Sequence, residues 1–322
     1  MNKLVFTSLI LLAITNYVTA QSIDSTSVAD TTYWKKGTKT TLTFTQTTLK
    51  NWAAGGENSI AFNAGINAFA SYAKRRTTFE NIMELGYGII DQGKIGLRKN
   101  DDKIIFSSKF GYKLKKDGKL YISSLIDFKS QFYKGVDFQD DGSEVKISDF
   151  MAPGFLTIST ALEWKPAKHF SLLYSPFTGK MTFVGIQSFA DRGDYGVDPA
   201  KKDANGNIIL GTGKTSRAEL GSFLKITFKK DIFKNVNYDT KIELFTAYDE
   251  NFGNVDVNWQ NAVTMKVNDW LVASFITQLL YDNDIKIATE FDSVTDAPLD
   301  AKPRIQYKQI LGVGLTFLMG DK

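Results

Sequence analysis

The sequence predicts an all-β chain that closes into an up-and-down antiparallel transmembrane β-barrel of about twelve strands. Three observations support this fold. Apolar and polar residues alternate over long segments, short and longer connections take turns between the segments, and Phe, Tyr and Gly are frequent whereas Pro is rare. An alternation with a period of two gives each strand one apolar and one polar face, and this composition suits strands joined by turns.

The first six predicted strands follow directly from the alternation. Their ranges, in order, are 38–49, 59–72, 79–89, 104–114, 122–132 and 156–164. Their apolar faces carry, in the same order, Leu42 and Phe44; Ile60, Phe62 and Ile66; Met83, Leu85 and Tyr87; Ile104, Phe106 and Phe110; Ile122, Ile126 and Phe128; and Leu156, Ile158 and Leu162. Most of these segments reach about ten residues, the length that a tilted membrane-crossing strand requires.

The six later strands show the same pattern over 170–184, 217–228, 236–244, 255–266, 271–281 and 305–317. Pro176 and Gly179 interrupt the first of these segments, where we expect a bulge. The last strand begins at Ile305 and ends at Phe317, and its apolar face carries Tyr307, Leu311, Val313 and Leu315. A terminal strand with an aromatic residue close to its end is the kind of segment that a barrel-assembly machinery would recognise, so we expect that machinery as a partner.

The connections between the predicted strands are sorted by length. The short ones are 73–76, 115–118, 165–169, 230–235 and 268–269, and between them lie 51–57, 91–102, 135–151, 185–216, 249–254 and 282–303, most of them longer. Outer-membrane barrels have this layout, with short periplasmic turns, longer external loops and both termini in the periplasm. A soluble β-domain is the alternative, although it has no reason to sort its loops by end. We therefore expect an integral protein of the bacterial outer membrane, surrounded by lipid.

The chain begins with the pattern of a secretory signal peptide over residues 1–20. Lys3 supplies a positive charge, 4–14 form an apolar run, and small residues end at Ala20. Residues 21–37 are polar and predict a flexible periplasmic segment or a plug, and 38–322 predict the barrel. The chain has no Cys, which excludes a lipoprotein anchor, disulfides and thiolate metal sites.

The polar faces of the strands carry charges of both signs, which we expect to line the lumen and to neutralise one another. Folding the third and fourth strands into a hairpin sets Glu84 opposite Lys109 and Glu80 opposite Lys113, and a similar fold near Phe233 sets Lys225 opposite Asp239. The complete predicted set is Glu80, Glu84, Lys109, Lys113, Asp127, Lys129, Glu163, Arg217, Glu219, Lys225, Asp239, Lys241, Glu243 and Lys266. About twelve strands leave a narrow or occluded passage.

Several chemical functions are disfavoured by composition. The net charge is +4 and the basic residues are scattered, so nothing indicates nucleic-acid binding. His169 is the only histidine and falls in a predicted periplasmic turn, away from the rim where an outer-leaflet hydrolase would need it. An acidic loop offers oxygen ligands for a divalent cation at Asp137, Asp140, Asp141 and Glu144, but it fails the EF-hand template, and a solvated acidic loop is the stronger interpretation. We expect no cofactor.

One motif carries a family resemblance. The segment NWAAGGENS at residues 51–59 resembles the hallmark of a family of exported Gram-negative outer-membrane barrel proteins that is known only as a domain of unknown function. The stretch around Pro153 and the Gly-rich last strand are similar to that family as well. Gly residues in this motif permit a tight external turn, the Trp anchors at the membrane interface, and the polar residues reach a neighbouring loop. The motif residues are Asn51, Trp52, Gly55, Gly56, Glu57 and Asn58.

The resemblance implies no substrate and no catalytic residue, so the function rests on the barrel itself. The first hypothesis is a narrow passive channel or transporter for a small polar solute. The alternative is a barrel without transport, which serves as a structural or assembly partner of other envelope proteins. An outer-membrane enzyme is the least favoured of the three.

Overall fold

The computed structural model describes residues 33–48, 58–92, 96–138, 144–249, 252–287 and 301–320. These belong to a compact unit, Tyr33–Lys322, that is separate from Met1–Thr32. The predicted signal peptide, the segment 21–32 and the motif residues Asn51, Trp52, Gly55, Gly56 and Glu57 lie outside the described residues and stay predictions.

The unit is built almost entirely of β-strands. In chain order they are β1 (Trp34–Thr47), β2 (Ser59–Lys74), β3 (Thr77–Asp91), β4 (Leu97–Lys113), β5 (Leu120–Ser130), β6 (Gly135–Phe138), β7 (Glu144–Ser148), β8 (Gly154–Ala167), β9 (Phe170–Phe183), β10 (Ser216–Phe233), β11 (Val236–Ala247), β12 (Asp256–Lys266), β13 (Leu271–Tyr281), β14 (Lys286–Ile287), β15 (Lys302–Pro303) and β16 (Gln306–Gly320).

Twelve of these strands form one closed antiparallel barrel in the order β1-β16-β13-β12-β11-β10-β9-β8-β5-β4-β3-β2. Every neighbouring pair except β1–β16 is joined directly along the chain or through a loop, so the topology is up-and-down. The fold class and the number of barrel strands predicted from the sequence are confirmed. Of the described residues, no helix is long and apolar enough to cross a membrane.

The two ends of the barrel differ as predicted. One end, the short-turn end, carries the connections 75–76, 114–119, 168–169, 234–235 and 267–270, and there β1 begins and β16 ends. The other, the long-loop end, carries 48–58, 92–96, 131–153, 184–215, 248–255 and 282–305. The connection between β3 and β4 is shorter than predicted, because the polar residues 98–102 continue β4 instead of forming a loop.

The apolar faces of the strands point outwards. Large apolar side chains remain exposed all around the barrel, among them Phe62, Ile66, Phe106, Phe110, Ile126, Ile158, Leu162, Trp259, Leu311 and Phe317. In water such a surface would be unfavourable, whereas in a bilayer it faces hydrocarbon. The charged faces point into the lumen, where Glu163, Glu243 and Asp127 are buried. The expected bulge at Pro176 is present, since the register of β9 shifts there against both β8 and β10.

Two predicted charge pairings are wrong in register. Glu80 faces Lys109, not Lys113, and Glu84 faces Ile105 while it forms an ion pair of 3.2 Å with Lys103. The cause is the longer hairpin, in which β4 starts at Leu97 and a bulge beside Gly88 absorbs one residue. The residue of β4 that faces each glutamate is therefore displaced along the strand by an even number of residues, so the same face of β4 still points into the lumen.

A third predicted pairing, of Lys225 with Asp239, is wrong for a similar reason. Lys225 faces Glu243, and Asp239 faces Lys229. The turn between β10 and β11 consists of Lys234 and Asn235, and Asn235 adopts a left-handed φ of 65°. Asn tolerates this conformation better than most residues, which places the turn closer to β11 than the predicted fold about Phe233.

The long loops carry structure of their own. The loop between β5 and β8 forms the β6–β7 hairpin. The loop between β9 and β10 contains a short helix, α1 (Gln187–Arg192), a 3-10 turn at Asp194–Gly196, and a tight turn at Asn205 and Gly206 that is closed by an antiparallel bridge between Lys202 and Ile208. A small apolar cluster holds these elements on the rim, and it consists of Ala152, Val184, Phe189, Ala190 and Val197.

A charge exchange tests the register of β3 and β4. Glu84→Lys should lower the free energy of unfolding by up to about 1 kcal/mol, since it sets two ammonium groups in partly exposed contact. Adding Lys103→Glu should restore most of this loss, because the pair is then re-formed with reversed signs. Combining Glu84→Lys with Lys109→Glu serves as the control for the pairing predicted from the sequence, and it should not restore stability, because Lys109 also pairs with the buried Glu163; urea titration in lipid vesicles is the measurement. Recovery in the control, but not in the first double variant, would contradict the observed register.

Candidate functional site

A set of four charged side chains crosses the middle of the lumen. We call it the central ion network, and it consists of Asp127 and Lys129 on β5, Lys225 on β10 and Glu243 on β11. Lys225 Nζ lies 3.0 Å from Asp127 Oδ2 and 3.1 Å from Glu243 Oε1, and Lys129 Nζ lies 2.6 Å from Glu243 Oε2. Since β8 and β9 separate β5 from β10 in the sheet, these contacts span the lumen instead of following its wall.

The network is balanced, with two cations and two anions in a buried position. Asn258 on β12 adds a hydrogen bond, because its Nδ2 donates to Glu243 Oε2 over 3.0 Å. Removing one partner from such a set leaves a buried charge without compensation, which typically costs about 3–5 kcal/mol. The network therefore resists opening by any step that separates its charges one at a time.

A second network lies closer to the short-turn end. Glu163 on β8 is fully buried and receives Lys109 Nζ at 2.6 Å and Lys165 Nζ at 3.5 Å. Glu80 contacts the same two lysines, at 3.2 Å and 3.0 Å. The hydroxyl groups of Ser123 and Ser171 donate to Glu163 as well. The polar faces of the five neighbouring strands β3, β4, β5, β8 and β9 are thus joined to one another along one side of the lumen wall.

Apolar side chains fill the lumen between these networks. Leu125, Leu173, Phe223 and Phe245 are buried together with the small residues Ala161 and Ala247. All of them project from the inner face of β5, β8, β9, β10 or β11. The core of the barrel therefore lies inside the lumen, against one half of its wall, and the remaining passage is narrow.

A cavity of about 420 Å³ occupies the long-loop half of the lumen. Asp127, Lys129 and Glu243 line it on the side of the central ion network. Its wall is mixed, with Ile276, Leu280, Ile310, Phe155 and Phe245 contributing apolar surface and Lys103, Lys180, Asp256 and Lys308 contributing charge. Such a combination suits a solute of moderate size that has both polar and apolar parts.

Ion pairs connect the wall of the cavity across several strands. Lys180 on β9 lies 2.7 Å from Asp256 on β12 and 3.4 Å from Asp282. Lys308 on β16 contacts Asp101 on β4. The latter pair passes in front of β1, β2 and β3, which separate the two strands in the sheet.

The long loops meet over the cavity. Arg217 Nη1 lies 2.9 Å from Asp284 Oδ2 and donates to the carbonyl oxygen of Gly196 over 3.0 Å. Tyr195 donates its hydroxyl to the carbonyl oxygen of Ile147 over 2.5 Å. Burial, with the Asp194 carboxylate nearby, raises the pKa of the Tyr195 hydroxyl, so it remains a donor at neutral pH. These contacts join the loops after β5, β9 and β13.

The mouth at the short-turn end is basic. Lys39 on β1 lies within electrostatic range of Lys229 on β10 and Lys266 on β12, which face it across the lumen. Asp239 contacts Lys229 at 3.2 Å. Among the residues that the structure describes, neither Lys39 nor Lys266 has a carboxylate within ion-pair distance. We call Lys39, Lys229 and Lys266 the basic mouth.

The remaining predicted site residues occupy separate places. The Lys113 ammonium group lies over the ring of Tyr121. The side chains of Arg217 and Glu219 are 3.4 Å apart. Lys241 lies on the inner face of β11. Parity along the strands would also have found Lys103, Lys165 and Lys180, whose strands were assigned shorter ranges or less regular patterns. The alternation along the strands does not identify the ion-pair partner of a lumen residue, because the contacts inside the lumen join residues that are far apart in sequence.

The predicted metal loop and the single histidine lie outside the lumen. Asp137 and Glu144 sit on the two arms of the β6–β7 hairpin, where Glu144 lies 3.8 Å from Lys134, and Asp140 and Asp141 fall outside the described residues. The described part of the chain contains no group of three or more His, Cys, Asp or Glu side chains with the geometry of a metal site. His169 lies in the turn between β8 and β9 and packs edge-on against Phe228.

Solved structures that resemble this barrel share little sequence with it. The translocator domain of the autotransporter NalP from Neisseria meningitidis is 8% identical, with a TM-score of 0.40, over 97% of this chain and 95% of that chain. An outer membrane channel from Pseudomonas putida F1 is 8% identical, with a TM-score of 0.37, over 92% and 100%. The NanC porin is 6% identical, with a TM-score of 0.33, over 89% and 100%.

At the level of sequence, no curated protein matches the chain. Residues 44–136, from β1 to β6, match the model of a family described as "Protein of unknown function (DUF3078)". This stretch contains the segment at 51–59 that suggested the resemblance, whereas Pro153 and the last strand lie beyond it. The chain thus combines a closed barrel of twelve strands with the sequence pattern of this family over β1 to β6.

Proposed function

We propose that this protein is a narrow passive channel of the outer membrane that carries a small polar solute, with a preference for anions. The observation that carries the proposal is the cavity of about 420 Å³ that ends at the central ion network. A barrel that served only as a scaffold would gain stability by filling this volume with side chains. In the proposed orientation, the long-loop end faces the exterior and the short-turn end faces the periplasm.

The central ion network would act as the constriction of the channel. Asp127, Lys129, Lys225 and Glu243 connect β5 with β10 and β11 over the inner faces of β8 and β9, and both lysine side chains are long and have several rotamers. A charged or polar solute could replace one partner while another remains in contact, which avoids leaving any charge unpaired. The balance of the network therefore permits a slow passage without a large free-energy barrier.

The basic mouth supports the preference for anions. Lys39, Lys229 and Lys266 project into the lumen from three strands, and Asp239 is a single carboxylate among them. A ring dominated by one sign of charge raises the local concentration of counter-ions and selects among ions that pass. This differs from the sequence-based expectation of a lumen in which neither sign dominates.

Conductance in planar bilayers tests the constriction. Glu243→Gln removes one anion from the central ion network, so we expect a several-fold larger single-channel conductance than that of the wild type and a loss of about 3 kcal/mol in unfolding free energy. Glu144→Gln on the β6–β7 hairpin is the matched control and should leave both values unchanged. Electrical silence of the wild type, of Glu243→Gln and of a variant lacking residues 21–32 would contradict the channel and favour the non-transporting barrel.

Reversal potentials in a salt gradient test the basic mouth. The wild type should pass chloride more readily than potassium, and the double variant Lys39→Gln/Lys266→Gln should lose this preference, since the two removed charges have no carboxylate partner among the described residues. Lys116→Gln, in the turn between β4 and β5 at the same end, is the control and should behave as the wild type. An unchanged reversal potential in the double variant would show that the mouth does not select the ion.

A further inference from the structure

The closure of the barrel is incomplete along one seam. β1 pairs with β2 over its whole length, from Trp34 to Thr47, but it pairs with β16 only from Gly37 to Thr43. The last pair joins Thr43 to Gly314. Among the described residues beyond it, 44–47 pair with β2 alone and 310–313 pair with β13 alone. The two facing strand edges are therefore not paired with each other over this stretch.

Large apolar side chains flank this gap on the outer face of the barrel. On its flanks, Phe44 is 56% exposed and Leu311 is 69% exposed on the outer face. Backbone N–H and C=O groups without partners cost several kcal/mol each when they face lipid. The open edges can persist only if polar groups reach them, and these must come from the lumen side.

On the lumen side, the cavity borders β16. Ile310, which belongs to the unpaired stretch of β16, lines the cavity together with Gln306 and Lys308. Ile276 on the neighbouring β13 adds apolar surface beside them. Water or a polar ligand in the cavity therefore has direct access to the free edge of β16.

Two glycines of β16 mark the place where its pairing with β1 stops. A Cβ on Gly314 would come within 2.4 Å of the carbonyl oxygen of Leu42, and one on Gly312 within 2.7 Å of Thr43 Cγ2. The glycines therefore let the two strands approach closely at this point. The ion pair between Lys308 and Asp101 passes in front of β1, β2 and β3, and it therefore lies between the gap and the rest of the lumen. We call this ion pair the latch.

We propose that the seam between β1 and β16 is a lateral opening through which a single-chain anionic amphiphile moves between the cavity and the bilayer. Its acyl chain passes between Phe44 and Leu311, and its anionic head replaces Asp101 as the partner of Lys308. The head also accepts hydrogen bonds from the free N–H groups of β16. This route goes beyond the proposed channel and does not depend on it, since the channel runs along the barrel axis.

Photolabelling in lipid vesicles tests the opening. The probe is dodecanoic acid that carries a diazirine on its chain, and labelled residues are identified by mass spectrometry of the full-length protein. The wild type should be labelled on the lumen-facing residues of β13 and β16, near Ile276 and Ile310, as well as on its outer surface. Labelling confined to outward residues such as Leu311, at the level found on other strands, would overturn the proposal.

Engineered cross-links provide the matched comparison, because the chain has no native Cys. Thr45→Cys/Gly312→Cys, joined by a short bifunctional thiol reagent, seals the gap at the next pair of inward-facing positions beyond the last pair. It should reduce lumenal labelling by about tenfold or more, because passage would then require breaking sheet hydrogen bonds in lipid. Thr41→Cys/Thr316→Cys, in the paired part of the seam, should leave labelling unchanged. Equal lumenal labelling in both cross-linked proteins would show that the probe uses another route.

A third variant tests the latch without a cross-link. Asp101→Asn removes the carboxylate that competes for Lys308, so lumenal labelling should increase, whereas Asp101→Asn combined with Lys308→Gln should label less than Asp101→Asn alone. Equal labelling of these two variants would overturn the role of Lys308 as the head-group partner. Labelling does not require ion conduction, so electrical silence of the protein would contradict the channel and leave this result interpretable.

Discussion

Backbone hydrogen bonding in lipid is the constraint on which this structure depends. A strand in hydrocarbon must pair on both edges, and a sheet satisfies every strand only by closing on itself. Closure sends the alternate side chains to two different solvents, lipid outside and a confined lumen inside. The charged residues then have no bulk water to face, so they neutralise one another across the lumen. The ion networks are thus a consequence of the closed sheet.

How far the sequence predicts this arrangement follows from the same reasoning. The period of two determines which side of the sheet a residue faces, so Glu80, Lys109 and Lys225 could be assigned to the lumen from the sequence alone. The partner of each charge depends on the hairpin turn and on bulges, and one misplaced turn changed the predicted partners of Lys225. The contact of Lys225 with Asp127 depends on the tilt of the barrel as well, since the two strands are not neighbours.

Different parts of the lumen wall differ in the size of the side chains that they carry. On the half of the wall formed by β5, β8, β9, β10 and β11, apolar side chains pack into a core that holds the ion networks in place. β1 and β2 carry small inward residues, among them Thr43, Asn63 and Gly65. The cavity lies beside β12, β13 and β16, so it borders the seam on the side of β16.

This asymmetry connects the weak seam to the rest of the barrel. A strand edge that has lost its neighbour needs water or a polar group, and the only supply at that depth is the lumen. If side chains filled the lumen equally on all sides, no water could reach the edges of β1 and β16. The two strands would then have to pair along their whole length. The cavity beside β16 removes that requirement. The unpaired stretch of the seam therefore depends on the cavity beside β16, which can supply the polar groups that the strand edges need.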